Sequence, residues 1–404
     1  MGLLTNNRLW VFVLFCALSI AMSTLSAEEQ LWRFDRPSVC EMMVARQRNL
    51  FEREIETAFR EKDAPERFND HSLGVKVVRF SVTDEDLSRT ILQFCSQQQV
   101  AKKMIARWFD RDKESGAMDM LLISERGLYN ANSIDVSMAA QTIRGMRSLE
   151  DAGEKLIPRT FLVVHDYYFN TSYGTQKQDI AVWEDSEPRK IDVNNQKDLD
   201  RYNEQLYAMG SRLQSISIGC VSYLFQLNWN DSVAGVFYEN YYTSSPCPDV
   251  KKKEAFNADR STFTLRYIGK TEGNITERNT QKYNNQVLVK KACVRLVDYN
   301  LACLQHKFSQ FRVMSNLTVG SEGELTADIG LKEDVRPGSR FEVLLPKIKS
   351  DGSLSFTRIG IIRPIADKIS DNRFMAGSEQ RARSTFFEQV SGGELFSGLL
   401  IREL

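Results

Sequence analysis

The chain has 404 residues, of which 42% are hydrophobic and 26% are charged, a composition typical of a folded protein rather than a disordered one. Its 53 basic and 53 acidic residues cancel, so no net field draws it toward nucleic acid, and we expect no nucleic-acid partner. Because domains usually contain roughly 100 to 200 residues, the length predicts two or three of them.

The amino terminus has the layout of a secretory signal peptide. Arg8 precedes an apolar run over 9–22, and small residues follow as far as Ala27. The run is shorter than the roughly 20 residues that span a bilayer, so we expect cleavage near Ala27 rather than an uncleaved anchor. Cys16 raises the alternative of lipoprotein processing, which the bulky Phe15 disfavours. We expect an exported mature chain without a transmembrane span, periplasmic or associated with the outer membrane.

The cysteines suit a compartment that permits disulfides. The chain has seven, and removal of the segment with Cys16 leaves six, an even number. The strand-like segments between Cys220 and Cys247 can return the chain to its start, so this pair is our disulfide candidate. Cys293 and Cys303 share one predicted helix, where ten residues span about 15 Å, too far for a disulfide. The alternative is that all six are buried free thiols.

The first half of the mature chain predicts an α/β unit with a crossover in a mixed sheet. Apolar residues at helical spacing indicate its helices, and short apolar runs indicate its strands. In chain order, we predict a helix over 37–62, a strand over 75–82, a helix over 87–110, a strand over 120–124, a loop over 125–130, a helix from 132 or 133 to about 149, and a buried strand over 160–165.

The middle of the chain has a weaker pattern, with short apolar segments between polar ones. The segment 233–242 is apolar and aromatic, and it fits either a strand or a helix. In chain order, we predict a hairpin over 179–193, a helix over 199–209, a strand over 217–227, a strand or helix over 233–242, a strand over 263–268 and an exposed polar connection over 271–285.

The last part of the chain combines a helix with short strands. An amphipathic helix is predicted over 285–304, where Leu288, Ala292 and Leu296 recur at helical spacing. Asp351-Gly352 predicts a hairpin turn, and glycines separate the other apolar segments. These features predict a small β-barrel or sandwich. Its strand-like segments are 308–314, 340–346, 353–363 and 399–401.

The predicted fold class is therefore α+β. A mixed α/β region occupies the amino-terminal and middle parts, and a small SH3-like β-barrel or sandwich follows the amphipathic helix. We place the boundaries in four steps: a signal peptide over 1–27, an α/β domain over 28–170, a second α+β region over 171–304 that ends in the helix, and a β-rich module over 305–404.

Several short motifs are spread over most of the mature chain. They lie at 126–131 (RGLYNA), 151–154 (DAGE), 328–333 (DIGLKE), 340–343 (RFEV), 371–373 (DNR) and 398–402 (GLLIR). In these motifs the chain resembles an uncharacterised family of exported proteins from Gram-negative Bacteroidetes. More distantly, a helix followed by a glycine-rich β-module resembles envelope accessory proteins related to curli secretion and flagellar assembly. The resemblance implies an envelope location and an assembly role, and it brings no catalytic residues.

Catalytic motifs are scarce in this sequence. It contains no Gly-x-Ser-x-Gly, no phosphate-binding glycine loop and no Cys-x-x-Cys, and His71, His165 and His306 lie in different predicted elements. We therefore predict no catalytic residue, no metal site and no cofactor. The alternative rests on His165 and Asp166, which stand together at the end of a predicted strand and suit a hydrolytic site.

Two polar clusters are candidate binding sites because each lies on a predicted loop, where binding residues are often found. The structural alternative is that Asn and Asp bond their own backbone and that Arg bridges neighbouring elements. The candidate residues are Arg126, Tyr129 and Asn130 in the first cluster and Asp371, Asn372 and Arg373 in the second.

Together these features predict an exported non-enzymatic protein that acts through contacts with envelope proteins in the periplasm or at the outer membrane, in assembly or secretion. Two alternatives stay open. One is an exported hydrolase that uses His165 and Asp166. The other is a surface ligand-binding protein in which aromatic-rich segments such as 238–242 line a pocket.

Overall fold

The computed structural model has the α+β fold class expected from the sequence. It describes residues 34–45, 51–79, 87–131, 133–169, 197, 215–244, 248–278, 285–309, 311–348, 354–375 and 384–404. The predictions that lie outside these residues are the signal peptide over 1–27, the hairpin over 179–193, the helix over 199–209 and the pairing partner Cys247.

A mixed sheet with helices on both faces forms the larger part of the fold. Its strands are β1 (Ser38–Val44), β2 (Asn69–Asp70), β3 (Val77–Val78), β4 (Thr160–Phe169), β5 (Ser215–Leu227) and β6 (Leu265–Arg278). Its helices are α1 (Glu52–Glu61), α2 (Ser88–Gln97), α3 (Val100–Trp108), α4 (Leu121–Asn130), α5 (Ser133–Ala140), α6 (Arg147–Asp151), α7 (Asp231–Asn240), α8 (Val250–Ala258) and α9 (Asn285–Lys307). A 3-10 helix spans Ala152–Arg159.

The strand order is β2-β1-β4-β5-β6, and β3 also pairs with β1. β1 runs parallel to β4, whereas β5 is antiparallel to both β4 and β6. Alternate residues of β4 face opposite cores: Val163 packs with α1 and α9, and Val164 packs with α2 and α3. The predicted domain boundary between residues 170 and 171 therefore falls between two paired strands of one sheet.

The prediction of a helix over 37–62 was wrong in its first part. Residues 38–44 form β1, and a helix follows only at Glu52–Glu61. β1 lies inside the sheet and has buried apolar side chains on both faces, such as Met42 and Met43. A strand of this kind has no alternating pattern, so its sequence does not separate it from a buried helix.

Other predictions also needed correction. The helix predicted from 132 or 133 to about 149 is divided into α5 and α6, and the strand predicted over 308–314 begins only at Met314. The strand over 120–124 and the loop over 125–130 are together one helix, α4. A short apolar run does not distinguish strand from helix, and Gly127 within it suggested a loop. The polar connection over 271–285 was also wrong at its start, because residues as far as Arg278 continue β6. That half of β6 is polar because it lies at the edge of the sheet.

The carboxyl-terminal part is a nearly closed seven-stranded antiparallel barrel, in line with the predicted small barrel. Its strand order is β7-β13-β10-β11-β12-β9-β8. Only Leu317 separates β7 from β8, so the two ends of the sheet meet there. The predicted hairpin of β10 and β11 is confirmed. The strands are β7 (Met314–Asn316), β8 (Thr318–Val319), β9 (Leu325–Ala327), β10 (Phe341–Ile348), β11 (Leu354–Pro364), β12 (Thr385–Gly392) and β13 (Leu400–Glu403).

The amphipathic helix α9 lies on the sheet, as its pattern predicts. Leu288, Ala292 and Leu296 are fully buried against the sheet. The contact over β6 is close at Gly273, where an added Cβ atom would lie 2.3 Å from Asn300 Oδ1. The glycine therefore allows α9 to approach the strand.

A second close approach fixes α4 against the 3-10 helix. An added Cβ on Gly127 would lie 2.6 Å from the carbonyl oxygen of Leu149, and one on Gly153 would lie 2.0 Å from that of Ile123. Both obstacles are backbone atoms, which cannot move independently of their elements. The motifs at 126–131 and 151–154 thus meet through their glycines.

We predict that Gly153→Ala lowers the free energy of unfolding by about 1 to 3 kcal/mol, because the new methyl group must push two backbones apart. Gly235→Ala is the matched control, since no atom lies within 4 Å of its added Cβ. This control should be neutral or stabilising by about 0.5 to 1 kcal/mol, because Gly235 lies inside α7. Urea unfolding measures both. Equal effects of the two substitutions would contradict the close approach.

Candidate functional site

The two polar clusters predicted as binding sites meet where α4 contacts the barrel. Lys332, in a 3-10 turn of the barrel, donates from Nζ to the carbonyl oxygens of Tyr129 at 2.5 Å and Ala131 at 3.3 Å. The backbone N–H of the same lysine donates to Asn372 Oδ1 at 2.9 Å. One buried lysine therefore joins both clusters, and we call this contact the α4–barrel junction.

Arg126 lies behind the junction as a buried structural group. Its guanidinium donates to Ser38 Oγ at 3.0 Å and to the carbonyl oxygen of Asp70 at 2.8 Å, and it lies 2.9 Å from His71 Nδ1. The guanidinium carbon is 4.3 Å from the centre of the Trp108 ring. Burial, with Arg107 as a further cause, lowers the pKa of Arg126 to about 10. Arg126 thus connects α4 to β1, β2 and α3.

Tyr129 and Asn130 contact the chain just before β1. Asn130 Oδ1 accepts the backbone N–H of Arg36 at 2.8 Å. The Arg36 guanidinium carbon lies 4.8 Å from the centre of the Tyr129 ring, and Lys332 Nζ lies 5.0 Å from that centre. Two cations therefore use the same aromatic ring, an attraction that is strongest where water is excluded.

The second cluster divides into a buried and an exposed part. Asn372 is buried and donates from Nδ2 to Glu333 Oε2 at 2.8 Å, and the same oxygen accepts the Gly330 N–H at 2.7 Å. Burial raises the pKa of Glu333. Asp371 and Arg373 are exposed and pair with each other at 3.0 Å. These residues do lie on a loop, as predicted, whereas Arg126, Tyr129 and Asn130 lie on α4.

The histidine of the predicted hydrolytic pair is fully buried. His165 Nδ1 lies 2.8 Å from Ser222 Oγ, which also accepts from Asn300 Nδ2 at 2.8 Å. Burial lowers the pKa of His165 to about 3, and Lys62 adds to this effect. Asp166 is the next residue of β4 and faces the opposite core, with Val164 rather than Val163. His165 and Asp166 are therefore on opposite sides of the sheet.

His71 is a buried group that the sequence did not indicate. Its Nε2 lies 2.9 Å from the carbonyl oxygen of Met104, and its Nδ1 faces Arg126. This arrangement fits a neutral ring that donates from Nε2 and accepts at Nδ1. Burial and the charge of Arg126 lower the pKa of His71 to about 3. No local pattern predicts this site, because Arg126 follows His71 by 55 residues.

No two of the described cysteines are bonded to each other. Cys220 is fully buried, and burial raises its pKa to about 12. Because Cys247 lies outside the described residues, its pairing with Cys220 stays a prediction. Cys293 and Cys303 both lie on α9, as expected.

The aromatic segment over 238–242 packs as a core. It belongs to α7, whose first turn is capped by Asn230 Oδ1 accepting the N–H of Val233 at 3.0 Å. Phe109 lies at the centre of the cluster, with its ring 4.4 Å from that of Phe237 and 5.8 Å from that of Tyr242. These rings therefore contact one another, and Tyr238, Tyr241 and Tyr242 are partly buried against this core.

The edge strand β6 is the exposed feature that the sequence analysis missed in part. It has 14 residues and pairs with β5 on one side, whereas no described strand pairs with its other side. Burial alternates along its second half, with Glu272, Asn274 and Thr276 exposed. The sequence gives little sign of it, because only Ile275 is apolar among the less exposed residues Thr271, Gly273, Ile275 and Glu277.

Comparison with known proteins gives no relative: no family model matches the chain, and no curated protein matches it. None of the described helices is long and apolar enough to cross a membrane. Within the described ranges, no group of three or more His, Cys, Asp or Glu side chains is arranged to hold a metal ion.

We predict that Lys332→Met lowers the free energy of unfolding by about 1 to 3 kcal/mol, because buried carbonyl oxygens lose their donor. Lys347→Met is the control, since Lys347 is exposed on β10 and should change stability by less than about 0.5 kcal/mol. Chemical unfolding followed by the fluorescence of buried Trp108 reports the difference. A Lys332 variant as stable as the control would mean that the junction does not hold the fold.

We also predict that acidification destabilises the protein through His71 and His165. An unfolded histidine has a pKa of about 6.5, whereas in the fold both values are about 3. The unfolded state therefore binds more protons between these values, so stability falls as the pH falls below about 6.5. Each histidine should contribute a loss on the order of 2 kcal/mol by pH 5.

The test is to measure the free energy of unfolding from pH 7.5 to pH 5 for the natural chain and for His71→Asn. The variant is expected to be less stable at pH 7.5, yet to lose less stability on acidification. Other titrating groups contribute equally to both chains and cancel in the comparison. His306→Gln, at an exposed position of α9, should change the slope less than His71→Asn, because the pKa of His306 is lowered but its ring is only partly buried. An unchanged slope in His71→Asn would refute the assignment.

Proposed function

We propose that this chain is an exported, non-enzymatic protein that binds another protein of the cell envelope, in the periplasm or at the outer membrane. The proposal of export rests on the apolar run over 9–22 and the small residues that follow it. The observation that carries the proposal of protein binding is the edge of β6 with which no described strand pairs.

An edge strand offers backbone N–H and C=O groups to a strand of another chain, and proteins commonly use such edges for recognition. β6 has 14 residues, which is about 46 Å at 3.3 Å per residue. Natural edges are often shortened or interrupted by proline to prevent pairing. β6 is long and contains no proline.

β6 is also held in place before any partner arrives. It pairs with β5 from Leu265 to Arg278 apart from one irregularity at Ile268, and α9 packs over Gly273. Ser217 Oγ on β5 donates to Asn274 Oδ1 at 3.0 Å and accepts from Thr276 Oγ1 at 3.2 Å. A strand that is already ordered loses little conformational entropy on binding, which favours affinity. We further propose a role in assembly or secretion, because α9 and the barrel distantly resemble envelope accessory proteins related to curli secretion and flagellar assembly.

The alternative of a hydrolase has less support. Its two residues face opposite sides of β4, and His165 is fully buried. A substrate would have to reach a side chain enclosed between the sheet, α1 and α9. The alternative of ligand binding is favoured by a groove of about 720 Å³ that basic side chains line.

We predict that a photo-crosslinking residue at Arg278 captures a specific envelope protein in living cells of the source organism. Arg278 is exposed on β6, and Arg358 on β11 is the matched control, an exposed arginine in another strand. The expected result is one product at Arg278 that is absent at Arg358, with its identity determined by mass spectrometry. The same products at both positions would mean that β6 has no special role.

Two adjacent proline substitutions sharpen this test. Successive N–H groups of an edge strand alternate between the neighbouring strand and the open side. One of Ile275→Pro and Thr276→Pro therefore removes a bond to β5, and the other removes an N–H from the open side. The variant that removes the N–H from the open side should fold and lose the crosslinked product at Arg278. If it folds and keeps that product, strand pairing is not the mode of binding.

A further inference from the structure

A groove of about 720 Å³ lies between the β3 edge of the sheet and α3. Its floor is apolar and includes Met42, Val78 and Val100, which belong to the core between the sheet and helices α2 and α3. The volume is within the usual range of roughly 300 to 1,000 Å³ for small-molecule sites. The groove is on the face of the sheet away from α9.

The wall of the groove is strongly basic. Lys102, Lys103 and Arg107 come from α3, and Arg111 and Lys113 follow it. Asp110 is the one acidic side chain among the residues that line this groove. In a chain with equal numbers of acidic and basic residues, such a local excess produces a positive potential within the groove.

These cations differ in what they already bind. Lys102 Nζ donates to the carbonyl oxygens of Asn257 at 3.3 Å and Asp259 at 2.7 Å, and Arg111 donates to Asn257 Oδ1 at 3.0 Å. Lys103 and Arg107 are exposed and one helical turn apart. Neither makes a side-chain hydrogen bond or an ion pair with another described residue. Lys102 and Arg111 thus build the wall, while Lys103 and Arg107 remain available.

We propose that this groove binds an amphiphile with a single acyl chain and an anionic head group. The head group, a carboxylate or a phosphate, pairs with Lys103 and Arg107, and the acyl chain covers Leu73, Val75 and Phe94, the larger apolar lining residues that solvent reaches. The proposal does not depend on the contact along β6, which lies at the opposite edge of the sheet.

Two features favour this occupant over an acidic peptide or a free anion. A peptide gains affinity by pairing its backbone with a strand, but β3, which borders the groove, has only two residues. A free anion would use the cations and leave Leu73, Val75 and Phe94 in contact with water. An amphiphile satisfies both surfaces together, since its chain gains from burial while its charge meets Lys103 and Arg107.

Burial also makes the charged forms of the two wall cations, Lys102 and Arg111, less favourable. It lowers the pKa of Lys102, and the nearby Arg260 contributes in the same direction. Burial likewise lowers the pKa of Arg111. A bound anion would offset part of the cost of burying these positive charges.

The experiment is a fluorescence titration of the full mature chain with dansyl-labelled undecanoic acid. Oleate and lysophosphatidic acid are then added as separate competitors, which distinguishes a carboxylate from a phosphate head group. Oleyl alcohol tests the need for charge, inorganic phosphate tests the need for a chain, and a poly-glutamate peptide tests the peptide alternative. We expect saturable binding that at least one anionic amphiphile displaces and that the other three compounds do not.

The first variant is Lys103→Glu with Arg107→Glu, which should weaken binding by roughly tenfold, because two attractions become two repulsions. Lys155→Glu with Arg358→Glu changes the net charge equally at exposed positions outside the groove and should leave binding unchanged. Ala106→Trp fills the groove from α3 and should abolish binding. Thermal unfolding of each variant verifies that it remains folded.

The absence of saturable binding would overturn the proposal. So would equal displacement by oleyl alcohol, or equal affinity of the groove variant and its charge-matched control. Displacement by poly-glutamate at a similar concentration would identify an acidic segment of a protein as the occupant instead. None of these results bears on the crosslink at Arg278, so the two proposals fail separately.

Discussion

The buried ammonium group of Lys332 holds the two parts of this molecule together. An isolated buried charge is costly, but this one donates to the carbonyl oxygens of Tyr129 and Ala131. These carbonyls belong to the end of α4, where helix carbonyls lack partners within the helix and where a cation is favourable. The barrel thus completes a helix of the other part, and its own Asn372 fixes the backbone of Lys332. Neither part can move without leaving polar groups buried and unsatisfied.

The α4–barrel junction depends on the position of α4, which Gly127 and Gly153 determine. Gly127 costs α4 up to about 1 kcal/mol in helix stability relative to alanine. Its compensation is the close contact with the 3-10 helix at Gly153, which no larger residue permits. α4 then carries Arg126 into the space above Trp108 and presents Asn130 to the chain before β1. The cluster first considered as a binding loop is therefore part of the internal framework.

The sequence predicted the elements whose patterns are set by one buried face. α9 has such a pattern. The hairpin of β10 and β11 was predicted from Asp351-Gly352, and β5, which is buried on both faces, was predicted from its apolar and aromatic run. Each lies close to its predicted position. β1 is buried on both faces, and half of β6 is polar, so neither has the usual signature of its position. The sequence indicated both polar clusters that meet at the α4–barrel junction. It did not indicate their common partner, Lys332, which lies some 200 residues from Tyr129 in the chain. Long-range pairing of this kind leaves no periodic signal.

The sheet arranges its two open features so that both can be used together. β1, which borders the cationic groove, and β6 are separated by β4 and β5, about 14 Å at roughly 4.8 Å per strand. A strand added to β6 would extend the sheet away from the groove, and an acyl chain beside β3 would leave β6 free. α1 and α9 pack on one face of the sheet, whereas the groove is on the other face. A ligand in the groove therefore does not need to displace either helix. The two proposed binding sites thus lie at opposite edges of the sheet.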